Sequence, residues 1–292
     1  MEIAEMEKEV DVDKILEDLQ NKEYFVKSDN SCDVIILKID NPAFKLKNKK
    51  SYNLEIFGKS MLDWVKLAVC DFNISEIECD ISSSIFDVVK PYLKNSKYTM
   101  ILYADTPLVT KNTISDIVTY VVGKGLKVCK LSRGYVFDTE YLKTCEKVYS
   151  LSTYSFNESD FLPVINFAEL NKVTAILQHR ILEFHLNNGV QLIKPETLTI
   201  EADVVIGSNV VIYPFNELRG ETVIGDDVTL YSSNTIISSI IFNNCNIEKS
   251  YIKNSVIKED CNLLPFCNIY NNSLVNKGNT IASVVLDHKE IK

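Results

Sequence analysis

Glycine is scarce in this chain: nine residues in 292, about 3% where ~7% is usual. The first is Gly58. A glycine-rich phosphate loop near the N-terminus is thereby excluded, because such a loop needs residues free to turn their backbone N–H groups onto the anion. Basic residues are also in deficit. The 31 Lys and Arg face 40 Asp and Glu, for a net charge of -9 and a pI near 5.0, which argues against nucleic acid as a partner. No apolar run reaches the length of a membrane span, so no membrane role is expected. The opening residues, "MEIAEMEKEVDVDK", are acidic and do not have the basic-then-apolar order of a signal peptide. There are eight cysteines but no CxxC pair, so the chain reads as cytoplasmic with reduced thiols. The sequons "NES" and "NNS" then read as chance.

What is present is enough apolar residue to build real cores, 46% of the chain, over a length that suits one large or two ordinary domains. "DVIILKID" (33–40) and residues 99–104 read as buried strands. The second runs through "ILYADTPLVT" (101–110), with Asp105 at its C-terminal end. Ligands bind at that edge in open α/β sheets, and a carboxylate there commonly holds Mg²⁺. Helical patterns over 11–25, 58–69, 85–93 and 111–122 alternate with these strands, with "LKVCKL" (126–131), and with "GYVFDTEYLKTCEKV" (134–148), a strand turning into a helix. The alternation predicts an α/β domain with a mainly parallel sheet. Residues 167–188 predict a long helix ended by Gly189.

Beyond Gly189 the period changes. Ile200, Ile206, Ile212, Leu218, Ile224, Leu230 and Ile236 recur at steps of six; the step shortens to five at Ile241, Ile252 and Ile257, then resumes through Leu263, Ile269, Val275 and Ile281. Small or β-branched residues fill most positions four further on, among them Val210, Thr222 and Cys261. This is the hexapeptide repeat of a parallel β-helix, in which the first residue of each hexad points inward and stacked coils bury one apolar column. A β-sandwich would instead show period two, with turns roughly every 8–12 residues. Three hexads per coil give about five coils spaced ~4.8 Å apart. Cys245, Cys261 and Cys267 fall in inward slots as small core hydrophobes. Tyr251 also falls in an inward slot, beside the five-residue steps, and predicts a local bulge or widened coil.

Taken in order, "FGKSMLDWV" (57–65), "YADTPLVT" (103–110), "YVFDTEYL" (135–142) and "NNGVQLIKPETLTIEADVVIGSNVVIYP" (187–214) resemble segments of the bacterial N-acetylglucosamine-1-phosphate uridylyltransferase family, bifunctional enzymes that also acetylate glucosamine-1-phosphate. The resemblance implies an α/β nucleotidyltransferase-like (Rossmann-like) N-terminal domain over 1–162, a linker helix over 163–189 and a left-handed parallel β-helix of hexapeptide repeats over 190–292. It also implies a homo-trimer formed through the β-helix. In that family a sugar-1-phosphate oxygen attacks the α-phosphate of UTP and pyrophosphate leaves, with Mg²⁺, a glycine-rich loop and basic side chains neutralising the charge. The resemblance places the two metal ligands on Asp105 and on Asn166 of "PVINFAEL". Read from their surroundings alone, Asp105 terminates a strand and Asn166 caps a helix.

The rest of that family's site is missing. "LKIDNPAFKLKNKK" (37–50) stands in place of the glycine loop, and Pro42 removes one donor outright. Lys45, Lys47, Lys49 and Lys50 read as a solvated loop. "CDISSSI" (79–85) stands in for the uracil-and-sugar segment, with Cys79 and Ile81 in place of Gln and Gly, and Ile81 obstructs a base. Leu131 to Arg133 do not supply the deleted sugar-binding motifs. The acetyl-transfer site fares no better. His179 and His185 lie on the long helix, His288 sits in a charged tail and Tyr270 replaces the phosphate-binding Arg, so no CoA is expected. No catalytic or substrate-binding residue is assigned.

Three functions remain. One is a relative with lost or impaired uridylyl transfer that retains nucleotide or sugar-phosphate binding or a regulatory role. The others are an active sugar-1-phosphate nucleotidyltransferase with an altered loop, and a purely structural trimerising β-helix. A metal-site carboxylate need not support the fold, so Asp105→Ala is expected to change stability by no more than about 1 kcal/mol.

Overall fold

The computed structural model describes residues 31–147 and 156–291, and the helix expected over 11–25 lies outside them. The chain forms two compact units that divide within one helix, between Leu177 and Gln178.

The first unit is an α/β domain. Its strands are β1 (Cys32–Ile39), the short β2 (Glu55–Ile56) and β3 (Lys59–Ser60), then β4 (Asn73–Cys79), β5 (Tyr98–Tyr103), β6 (Val128–Leu131) and β7 (Gly134–Asp138). The main sheet has the order β4-β1-β5-β7-β6. β1 runs parallel to β4 and β5, whereas β7 runs antiparallel to both β5 and β6. The sheet is therefore mixed where a mainly parallel one was expected. The cause is local: only Ser132 and Arg133 separate β6 from β7, and a connection that short can only join antiparallel strands.

Both faces of the sheet are covered, which is why the centre of β1, residues 34–37, is a continuous apolar run. Val34 and Ile36 face helices α1 (Met61–Ala68) and α3 (Lys111–Lys124) through Val65, Ile114 and Ile117. Ile35 and Leu37 face α2 (Ile85–Val89) and α4 (Thr139–Thr144) through Val89 and Leu142. Ser60 and Thr110 cap α1 and α3 by accepting the N–H groups of Asp63 and Thr113. The long helix α5 spans Phe167–Asn187.

The second unit is the left-handed parallel β-helix. Three six-stranded parallel sheets stack in register, giving six coils rather than about five. The count from Ile200 missed the strand Gln191–Leu192, and the charged tail folds into the last coil through Val285–Asp287 and Glu290–Ile291. The hexad isoleucines and leucines form one buried column, and Cys245, Cys261 and Cys267 point into it as expected. Tyr251 does not. It is half-buried on the outer side, Ile252 takes the inward slot, and pairing runs unbroken from Thr235 through Tyr251 to Asn268. The five-residue steps shorten the turns and leave the strands unbulged.

Polar ladders close two corners of the prism. Asn216 and Asn234 stack inside, with Asn216 Oδ1 accepting from the Asn234 N–H and Asn234 Oδ1 accepting from the Ser250 N–H. Their amide groups donate to carbonyls of neighbouring turns, including Tyr231 O. At another corner the hydroxyl oxygens of Ser239, Ser255 and Ser273 each accept the N–H of the residue one coil on. Each ladder satisfies backbone donors that would otherwise be buried unpaired.

Candidate functional site

β1 is flanked by β4 on one side and β5 on the other, so the chain switches direction across the sheet at β1. The C-terminal ends of these strands frame a crevice of the kind where α/β sheets bind ligands. A cavity of about 380 Å³ lies there. Leu37 and Ile39 reach it from β1, Cys79, Asp80 and Ile81 from the end of β4, and Tyr103 and Asp105 from the end of β5. Ile85 and Val88 of α2, with Ile165, complete the apolar wall. Ile81 is 70% exposed at the cavity rim. It narrows the opening without filling it.

Asp105 is held by an arginine. Arg133 Nε donates to Asp105 Oδ1 at 2.7 Å and Arg133 Nη2 to Oδ2 at 2.5 Å, with the two side chains 29% and 13% exposed. The guanidinium also lies over the Tyr103 ring, 4.4 Å from its centroid. Burial pushes the Asp105 carboxyl up, and Arg133 pulls it partly back. Burial likewise pushes the Tyr103 phenol up to about 12. Gly134 makes this arrangement possible. At φ +129° it sits where a Cβ would lie 2.5 Å from Ile101 O, so only glycine lets β7 close onto β5 and bring the preceding Arg133 to the cleft.

Asn166 lies two residues beyond a contact with this edge, where the Val164 N–H donates to Asp105 O at 2.8 Å. Its own side chain is engaged locally. Asn166 Oδ1 accepts the Glu169 N–H at 3.0 Å and caps α5. Among the described residues, no group of three His, Cys, Asp or Glu side chains is placed to hold a metal ion.

The segment after β1 closes on itself. Asp40 Oδ1 accepts the Ser51 N–H, Ser51 Oγ accepts the Asn41 N–H, and Asn41 Oδ1 accepts the Ala43 N–H. The Ser51 N–H, with Lys50 beside it, holds the Asp40 carboxyl below the usual range. Lys50 pairs with Asp40 and Glu78, and Lys49 pairs with Glu55. Phe44 is buried, anchoring the loop against Met61 and Leu108.

Arg133 is the residue that sequence reasoning missed. It lies in the stretch where the resemblance fails, so no motif marked it. One signal was available: it is the first arginine of the chain, with only Arg180 and Arg219 following among many lysines. Arginine is the side chain that grips a carboxylate with two parallel bonds.

Fold and cleft together define a two-part protein, a nucleotidyltransferase-like α/β unit followed by a left-handed hexapeptide-repeat β-helix. Over part of its length the chain is similar to proteins named bifunctional protein GlmU. It is 35% identical to GlmU of Listeria innocua over 146 residues, covering 50% of this chain and 32% of that protein. It is 38% identical to GlmU of Listeria monocytogenes over 124 residues, 42% of this chain and 27% of that protein. For GlmU of Clostridium kluyveri the identity is 34% over 117 residues, 40% of this chain and 26% of that protein. The matched region thus spans about a third or less of the relatives' length. No family model matches the chain.

Proposed function

We propose that uridylyl transfer is lost in this protein and that the cleft at the ends of β1, β4 and β5 serves binding. The bidentate Arg133–Asp105 pair carries this reading. Mg²⁺ requires oxygen ligands at ~2.0–2.1 Å in near-octahedral geometry. Asp105 gives both oxygens to Arg133, and Asn166 gives its Oδ1 to the cap of α5. In this arrangement the two residues do not fit the ion. The loop that would cradle a triphosphate turns the amides of Asn41, Ala43 and Ser51 onto its own side chains. With its two candidate ligands engaged elsewhere and those amides turned inward, the site has little to neutralise the developing charge of phosphoryl transfer.

The β-helix is proposed to assemble the protein as a trimer. An exposed apolar corner built by Tyr213, Phe215, Tyr231, Leu264 and Phe266 supports this. The eight free cysteines support a reducing compartment, the cytoplasm. Among the described residues no helix is long and apolar enough to cross a membrane.

The direct test is pyrophosphate release from UTP, Mg²⁺ and N-acetylglucosamine-1-phosphate. None above background is expected. Turnover on the order of 1 per second or faster, ordinary for an enzyme, refutes the loss of activity.

A further inference from the structure

We infer that the cleft takes an uncharged small molecule with a largely apolar body, and that it discriminates against anions. The inference rests on the reading that phosphate chemistry is lost there. A cavity of about 380 Å³ is of the size that encloses small ligands, and its apolar wall is built by the aliphatic side chains of β1, α2, Ile81 after β4 and Ile165 before α5.

Its charge balance decides the ligand class. Asp80, Asp105 and Arg133 are the charged residues lining it. Asp105 and Arg133 neutralise each other, which leaves Asp80 and a formal charge of one negative unit. The neighbouring lysines are committed elsewhere, Lys38 to Glu76 and Lys50 to Asp40 and Glu78. An anion entering the cleft gives up its hydration and finds no free cation among the described residues that line it, a cost that apolar contact does not offset. A cation finds only Asp80, which is solvent-exposed and so weakly attractive. A neutral body loses little on entry and gains from contact with Leu37, Ile39, Ile85 and Val88. The hydroxyls of Tyr103 and Ser83 and the amide of Asn41 are the polar groups at the wall. Tyr103 stays a neutral phenol throughout the physiological range, since its pKa is pushed up to about 12.

Benzamide, benzoate and benzamidine share one shape and differ in charge, so they isolate this term. Saturation-transfer NMR titrations of the full chain at millimolar probe should give benzamide at least about tenfold tighter than either charged probe, about 1.4 kcal/mol. Ile165→Trp, at a lining position open to solvent, should abolish the benzamide signal while leaving the circular dichroism spectrum and melting temperature in place. Benzoate binding as tightly as benzamide overturns the inference. So does the absence of binding by all three, or benzamide binding that survives Ile165→Trp. Pyrophosphate release measured on the same preparation separates the two readings: turnover sinks the loss of transfer, whereas a wrong probe order without turnover sinks only the ligand class.

Discussion

Arg133 and Asp105 meet from elements 28 residues apart through two parallel hydrogen bonds of 2.7 and 2.5 Å. The pair ties the β6–β7 turn to the end of β5. Removing either partner leaves the other charge largely buried and alone, which typically costs 3–5 kcal/mol. Because Arg133 retains some solvent contact, Arg133→Ala and Asp105→Ala should each lower stability by roughly 3 kcal/mol, read from urea unfolding. The double variant should lose clearly less than the sum of the two, the mark of direct coupling. This replaces the expectation from sequence that Asp105→Ala is nearly neutral. A loss below about 1 kcal/mol would show that the pair does not hold the sheet together.

Much of this fold could be read in the sequence, and the reason is periodicity. A hexad repeat names its inward residues directly, so Ile206, Ile212 and the cysteines of the column were placed correctly without coordinates. Tyr251 was misplaced because two five-residue steps in succession shift the frame, and sequence spacing does not say which neighbour turns inward. The site was less legible. Asp105 stands out at the end of an apolar strand, but its partner comes from a two-residue turn distant in sequence, and no local pattern encodes that pairing. The loop after β1 could be read for what it lacks, glycine. Its self-closure through Asp40, Asn41 and Ser51 depends on side-chain reach that only the structure gives.

The asparagine ladder makes a second prediction. Asn234 is fully buried, accepts from the Ser250 N–H, and donates to Tyr231 O and Ile247 O. Asn234→Val fits the slot in size but takes the acceptor from the Ser250 N–H, while Tyr231 O keeps the Asn216 amide and Ile247 O keeps the Tyr231 N–H. At ~1–3 kcal/mol for an unsatisfied buried group, with two bonds of the side-chain amide lost beside it, the cost should be about 2–3 kcal/mol in thermal or chemical unfolding. Ser255→Ala removes a weaker set of bonds at the serine corner and should cost about 1 kcal/mol. Equal, small losses at both positions would mean that the ladder follows the coil rather than holding it.

His185 gives the β-helix unit a pH dependence of defined sign. It is buried on α5, and burial pulls its pKa from 6.5 to about 4. Between those values the unfolded chain binds the proton and the folded one does not, so acid favours unfolding. Stability should be flat in this term above pH 6.5. It should fall by roughly 3 kcal/mol as pH drops through the window to about 4. His185→Phe should remove that component, leaving a shallower loss of stability over the same range. Identical slopes for the two proteins would place the histidine in water.

Trimer formation can be tested without damaging the coil. Phe215 and Phe266 occupy left-handed turn positions, φ +64° and +71°, while exposing 63% and 67% of their surface. A non-glycine residue in that conformation costs roughly 1–2 kcal/mol. Ser233 and Lys249 take the same conformation in the coils between them, so the aromatic character at Phe215 and Phe266, each following a proline at the same corner of the prism, is the distinguishing feature, and the trimer proposed above would bury those rings. Glycine suits the backbone at both sites, so Phe215→Gly/Phe266→Gly should leave each β-helix as stable as before or slightly more so. Light scattering coupled to size exclusion should then report a trimer for the parent chain and a monomer for the variant. A variant that stays trimeric excludes this corner as the seam, and a parent chain that runs as a monomer removes the trimer itself.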